Sequence, residues 1–141
     1  VETQRFEIDS DASLVAGVSQ AIYALAEKVG GADFASETEI AVCEAINNVI
    51  EHAYRFESGN PVVVEWQADD DHICIKVHDF GCAMPAGAVR SVVPEFDPDD
   101  PSTLPEGGFG LGLINAIMDR VDYDTDASGR NTLELSRRLP G

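Results

Sequence analysis

EAINNVIEHAY, residues 44–54, spaces Glu44, Asn48 and His52 four residues apart. Each residue turns an α-helix by about 100°, so steps of four drift by only about 40° and the three side chains form one polar stripe. Ala45, Val49 and Ala53 fall one position further round, beside Val42 and Ile46, and make an apolar face. The polar stripe therefore runs along the edge of a core, where a crevice would lie. Taken alone, three polar residues describe a solvated helix face more often than a site. The motifs further along the chain shift that balance.

Working outward, TQRFEID at 3–9 reads as a short strand, and Ser10 or Asp11 can cap a helix. Leu14, Val18, Ile22, Leu25 and Val29 follow at helical spacing until Gly30-Gly31 stop the run. A second helix begins near Asp33 or Ser36 and carries the opening motif to about Arg55, and ESGN then turns the chain before Pro61. VVVEWQA at 62–68 and HICIKVHD at 72–79 read as two strands of a hairpin across DDD. A third helix starts around Gly110 with Leu113, Ile114, Ile117 and Val121 inward. VDYDTD and RNTLELSRRL form a second hairpin that turns at Ser128-Gly129.

Between Cys82 and Gly107 the periodicity dissolves. Pro85, Pro94, Pro98, Pro101 and Pro105 lie there, among Glu95, Asp97, Asp99, Asp100 and Glu106. A stretch of this length inside a compact domain is a lid, a binding loop or disorder. No repeat and no internal boundary interrupts the pattern. The expectation is one domain over 1–141 with a mobile lid at about 82–107. Runs of strands beside three helices, without regular β-α-β alternation, predict an α+β two-layer sandwich. Three main helices would cover one face of a mixed, mostly antiparallel sheet.

Composition narrows the function classes. A chain of 141 residues can bury a real core. Its net charge of -17, with only nine Lys and Arg, is the reverse of a nucleic-acid binder, which draws its affinity from cations on phosphates. An anionic membrane surface is disfavoured for the same reason, and a partner with a basic face would be steered in. Cys43, Cys74 and Cys82 are an odd number without paired spacing, and no leader or long apolar run is evident, so a reducing cytoplasm is the expected compartment. His52, His72 and His78 are scattered, and no CxxC or HExxH supports a structural zinc.

VHDFG, residues 77–81, ends a strand with Asp79 and places Gly81 two residues on. A carboxylate on a crevice floor can accept a hydrogen bond from an exocyclic amine, and a glycine there lets backbone approach a flat ring. D-x-G by itself is more often a plain strand-ending turn. EGGFGLGL, residues 106–113, puts glycines 107, 108, 110 and 112 ahead of and inside a helix start. Such a loop offers backbone N–H groups and the positive end of a helix dipole to phosphates. It would let a very acidic chain hold a nucleotide with backbone donors and a metal ion. It has no Walker lysine and follows a loop rather than a strand, which argues against a P-loop and a Rossmann fingerprint. The plainer reading is a hinge with close helix packing.

In this order the three motifs resemble those of the GHKL ATPase superfamily, which includes histidine kinases and gyrase. More closely the chain resembles the bacterial anti-sigma-factor serine/threonine kinases, from Phe6 to Leu139. EAINNVIEHAY is similar to that family's N-box, E-x-x-x-N-x-x-x-H-A-Y. DFG is similar to its first glycine box, and GGFGLGLINAIMDRVDY to its second, with the MDxV continuation.

The resemblance implies the Bergerat, histidine-kinase-like fold, with ATP and Mg²⁺ bound. Asn48 would place its side-chain oxygen on a Mg²⁺ that bridges the phosphates, and Glu44 would be the general base. Asp79 would bond the adenine amine with Gly81 beneath the ring, and Gly108, Gly110 and Gly112 would hold the phosphates under the lid. His52 joins the nucleotide site as a motif residue with its role open. The implied activity is that of an anti-sigma factor in a partner switch, which binds a sigma factor and phosphorylates an anti-anti-sigma (STAS-type) antagonist. A homodimer is in keeping with the family. The alternatives are a non-catalytic regulatory module of the same fold and an ATPase domain detached from a larger signalling protein. Two departures bear on the choice. Ala83 stands where many relatives carry a second glycine, and Arg90 is the one basic residue between Cys82 and Leu113.

Overall fold

The structure is a computed structural model and describes residues 2–85, 87–88 and 110–141. The expected lid over about 82–107, including Arg90, lies outside the described residues apart from 82–85, 87 and 88, and so does Gly108. The chain runs through β1 (Glu2–Asp9), a 3₁₀ turn (Ala12–Leu14), α1 (Val15–Gly30) and α2 (Ala32–Asn48), which continues as a π turn over Val49–Ala53. It then forms β2 (Pro61–Ala68), β3 (His72–Asp79), α3 (Gly110–Ile117), β4 (Arg120–Thr125) and β5 (Asn131–Arg138).

The caps and periods explain these bounds. The Asp11 carboxylate accepts the Ser13 N–H and starts the first turn. Val15, Val18, Ile22 and Ala26 then face inward. A single residue, Gly31, separates α1 from α2, and its φ of 87° reverses the chain in the left-handed region that glycine tolerates. On α2, Phe34, Ala35, Thr38, Val42, Ala45 and Ile46 are buried, so the apolar face expected beside the polar stripe is the packed one. In α3 the inward line is Leu111, Ile114 and Ile117, continued by Met118. Leu113, expected inward, is only half-buried. It lies about 100° round from fully buried Ile114, at the edge of the contact face.

The five strands form one sheet in the order β1-β2-β3-β5-β4. Every described pair is antiparallel, so the expected mixed sheet is corrected to an antiparallel one. Topology supplies the reason. Two helices rather than one separate β1 from β2, so the chain comes back to the end where β1 left it, and the Ser10 N–H bonds Asn60 O there. The α3 crossover does run β3 and β4 in the same direction, but β5 lies between them and takes both ladders. Val62, Val64 and Trp66 of β2 and Ile73, Ile75 and Val77 of β3 alternate onto the helix-covered face, with Leu133 and Leu135 of β5. The opposite face carries Glu65, Lys76 and Glu134 into solvent, as one-sided antiparallel sheets do.

The two layers are also joined at the end of β5. The Arg137 guanidinium lies 4.5 Å over the Phe34 ring and pairs with Glu37 at 2.9 Å. It also donates to Phe34 O and Thr38 Oγ1. Arg137→Ala is expected to lower the free energy of unfolding by about 1–2 kcal/mol. Lysine keeps the charge but not the planar fork, so Arg137→Lys should recover less than half of that loss. Urea midpoints at constant slope check both, and two midpoints equal to that of the wild type would show that the arginine does not bind the layers together.

Candidate functional site

The end of the sheet marked by Asp79, Asn131 and Thr125 faces the edge of α2, and a cavity of about 430 Å³ lies between them. Its size is within the range of about 300–1,000 Å³ that takes small-molecule ligands. Glu44, Asn48 and His52 line its wall, Asp79 its floor, and Gly110 the start of α3 beside it. The stripe of three residues thus does border a crevice. Leu111, Leu133, Ala45 and Val49 supply apolar surface, and Ala83 and Met84 close the side where the chain leaves β3. No Lys or Arg is among the residues lining the described cavity.

Why does His52 remain on the wall, past the point where α2 ends? The Tyr54 N–H bonds Val49 O at 3.0 Å, five residues back rather than four. The helical path thus continues past Asn48 as a wider turn over Val49–Ala53, which carries His52. Arg55 and Phe56 then take φ of 51° and 63°, and the Phe56 N–H bonds Ile50 O, which ends the helix sharply. Tyr54 is buried, and its hydroxyl accepts the Phe80 N–H at 2.8 Å and donates to Pro61 O at 2.7 Å. Burial pushes this hydroxyl's pKa up, with the Asp79 charge adding and the Phe80 bond opposing, so it remains a donor.

Asp79 is held by one oxygen. Its Oδ1 accepts Asn131 Nδ2 at 2.8 Å and the Gly81 N–H at 2.9 Å. Asn131 also donates to Gly81 O at 3.0 Å, and its own oxygen accepts the Thr125 hydroxyl at 2.6 Å. Asp79 Oδ2 has no hydrogen-bond partner among the described residues and is the acceptor left for a ligand. Burial raises the Asp79 carboxyl above its ordinary 3.8, while the bonds from Asn131 and Gly81 and the neighbouring His78 pull it back.

The glycines divide. A Cβ at Gly81 would lie 2.3 Å from Ala53 O, where the Cys82 N–H already bonds at 2.9 Å. Gly81 is therefore demanded by the approach of the β3 end to the helix end, and it does not line the cavity. A Cβ at Gly110 would lie 2.8 Å from Glu44 Oε2, so the Glu44 end of the wall packs directly against the start of α3. Gly112 is buried inside α3 and is not a lining residue, and Gly108 is outside the described residues.

Asn131 and Met84 are site residues that sequence reasoning missed, and Tyr54, the last residue of the opening motif, was given no role there. Asn131 is 52 positions from Asp79, and only the β3–β5 register sets them opposite one another. The one hint was an asparagine where a strand begins, since that residue is depleted in strands. Among the described residues the one cluster with metal-ligand proximity, Asp69, Asp71 and His72, is exposed at the hairpin tip. Its Asp69 oxygen takes the Asp71 and His72 N–H groups, the work of a turn.

Residues 8–137 match the family described as the histidine kinase-like ATPase domain. The chain belongs to this family. Its relatives include the serine-protein kinase RsbW of Bacillus cereus (strain Q1), 34% identical over 130 residues that cover 87% of this chain and 81% of that protein. RsbW of Halalkalibacterium halodurans is 31% identical over 128 residues, covering 89% and 78%. Among solved structures, the mycobacterial sensor histidine kinase MprB superimposes with a TM-score of 0.53 at 16% identity, covering 98% of this chain and all of that one, a likeness of fold. This ATPase domain has no helix, among the described residues, long and apolar enough to cross a membrane.

The raised Asp79 pKa carries a sign. The folded chain holds that proton more tightly than the unfolded chain, so the stability it contributes is fully present below 3.8 and lost as pH rises through the folded value. Asp79→Asn keeps an oxygen for Asn131 and sheds the buried charge. The nucleotide-free variant is expected to be more stable than the wild type at pH 7, with the difference narrowing as pH falls toward about 4. Parallel denaturant titrations across that range measure it, and a variant less stable at every pH would refute it. Tyr54→Phe should cost about 1–3 kcal/mol, because it leaves the Phe80 N–H and the Pro61 carbonyl unpaired.

Proposed function

We propose that the protein is an ATP-dependent serine/threonine kinase that acts as an anti-sigma factor in a partner switch. It binds a sigma factor and phosphorylates a serine of an anti-anti-sigma, STAS-type antagonist. The observation that carries this reading is the cavity wall on which Glu44 and Asn48 stand one helical turn apart, with Asp79 on the floor. Relatives named serine-protein kinase, matched over most of their length, support it. The same reading takes 1–141 as one ATP-binding domain with a lid at about 82–107, in the cytoplasm, with a homodimer as its assembly.

The donor set suits Mg²⁺. That ion prefers oxygen, keeps several waters and needs few protein ligands. Asn48 offers a carboxamide oxygen beside the Glu44 carboxylate, a donor set of oxygens that a hard cation takes. When bound, the ion neutralises charge on the phosphates and holds them in one orientation. Asn48 Oδ1 would be the protein atom that holds it. Asp79 Oδ2 accepts the adenine amine, and Val49, Leu111 and Leu133 bury the ring. The first N–H groups of α3, from Gly110, are the backbone donors offered to the phosphates. Phosphoryl transfer asks mainly for positioning and charge stabilisation. As the substrate serine oxygen bonds the γ-phosphorus, its proton passes to the Glu44 carboxylate and ADP leaves with the electron pair of the broken P–O bond. Packing against Gly110 limits where that carboxylate can swing.

A second reading has one observation in its favour. Ala83 puts a methyl group on the cavity wall where many relatives carry glycine. A regulatory module that binds partners without transfer would tolerate it. Labelled ATP with a candidate antagonist separates the two. Glu44→Gln should hold Mg-ATP within a few-fold and lower transfer by roughly 10²-fold or more. Asn48→Ala should weaken Mg-ATP much more than Mg-free ATP. A wild type that binds ATP and labels no antagonist would establish the regulatory module instead.

A further inference from the structure

A primary amide has two ends of nearly equal size and opposite chemistry: the oxygen accepts and the nitrogen donates. A cation can use only Oδ1 of Asn48, so something must decide which end faces the cavity. Among the described residues the one hydrogen-bond partner of this side chain is Met84, whose sulfur lies 3.7 Å from Nδ2. A thioether has lone pairs and no proton. It can pair with Nδ2 and cannot pair with Oδ1.

Met84 is held in place from its own side. Its N–H donates to the Tyr123 hydroxyl of β4 at 3.0 Å. Its half-buried side chain packs against the core, and two residues earlier the Cys82 N–H is tied to Ala53 O. The sulfur is thus placed by β4 and by the end of the helix. Asn48 and Met84 are 36 positions apart, and both line the cavity.

We propose that Met84 is a positioning residue for Asn48: its sulfur retains Nδ2 and thereby turns Oδ1 toward the cation side of the cavity. The inference rests on the proposed Mg-ATP reading and adds a residue to it. A thioether suits the task because it is a soft, weak acceptor that a hard oxygen-seeking cation ignores. It therefore orients the ligand without competing for the metal.

The test compares Met84→Leu, which conserves volume and loses the acceptor, with Met84→Gln, which restores an acceptor at similar length. The readout is the ratio of ATP affinity with Mg²⁺ to that in chelator. Leucine should lower this ratio roughly 3- to 10-fold, the scale of one modest hydrogen bond, with Mg-free affinity within two-fold. Glutamine, whose amide can pair with either end of Asn48, should recover the ratio only in part. An unchanged ratio in Met84→Leu, or equal loss with leucine and glutamine, would overturn the proposal. Nitrogen-resolved NMR of nucleotide-free protein, with the Asn48 side-chain amide assigned from Asn48→Ala, reads the contact without ATP. The amide pair should shift and exchange faster with solvent in Met84→Leu. If the wild type bound no Mg-ATP but this shift appeared, the kinase reading would fail while the Asn48–Met84 contact stood. If Mg-ATP bound and the amide did not move, Met84 would have no such role.

Discussion

The hydroxyl of Tyr54 joins the parts from which the cavity is made. Tyr54 closes the helix that carries Glu44, Asn48 and His52, and its oxygen bonds the backbone at the start of β2 and at the end of β3. The helix wall and the Asp79 floor are therefore set by one buried group. Gly81 makes the second tie, since only a residue without Cβ lets Ala53 O approach so closely. Both contacts need the helix to stop at one register. The π turn at Val49–Ala53 and the two positive-φ residues after it provide that register. Irregular backbone of this kind concentrates where a site constrains the chain.

Charge in this site is arranged against the stability of the empty fold. Asp79 is a carboxylate in a buried position, and its raised pKa is the trace of what its desolvation costs. Asn131 and the Gly81 N–H offset part of that cost on one oxygen and leave the other without a partner among the described residues. An acceptor kept unpaired in a buried site is ready for a donor such as an exocyclic amine. The chain has a net charge of -17 and brings no Lys or Arg to the described cavity. Under the kinase reading, nucleotide phosphates must be met by backbone N–H groups and a divalent cation, which is what an Asn48 oxygen and a glycine-led α3 are suited to supply.

Topology serves the site as well as the core. The insertion of β5 between β3 and β4 brings Asn131 beside Asp79 and Thr125 beside Asn131. It also places Tyr123 of β4 where it can take the Met84 N–H. The residues that orient the polar groups thus come from the last hairpin, and the groups themselves come from the middle of the chain.

The sequence alone determined the local faces. Helical spacing put Val42, Ala45 and Ile46 in the core and Glu44, Asn48 and His52 on its rim, and alternation placed β2 and β3 and marked Asp79 at a strand end. These are readable because period and face are properties of neighbouring residues. The tertiary structure alone decided the antiparallel order, the π turn, the Gly81–Ala53 contact, and the partnerships of Asp79 with Asn131 and Asn48 with Met84. Those pairings join residues 28 to 52 positions apart, where no periodicity reaches. Strand register, crossover geometry and close packing select them, and these are set by the whole fold at once.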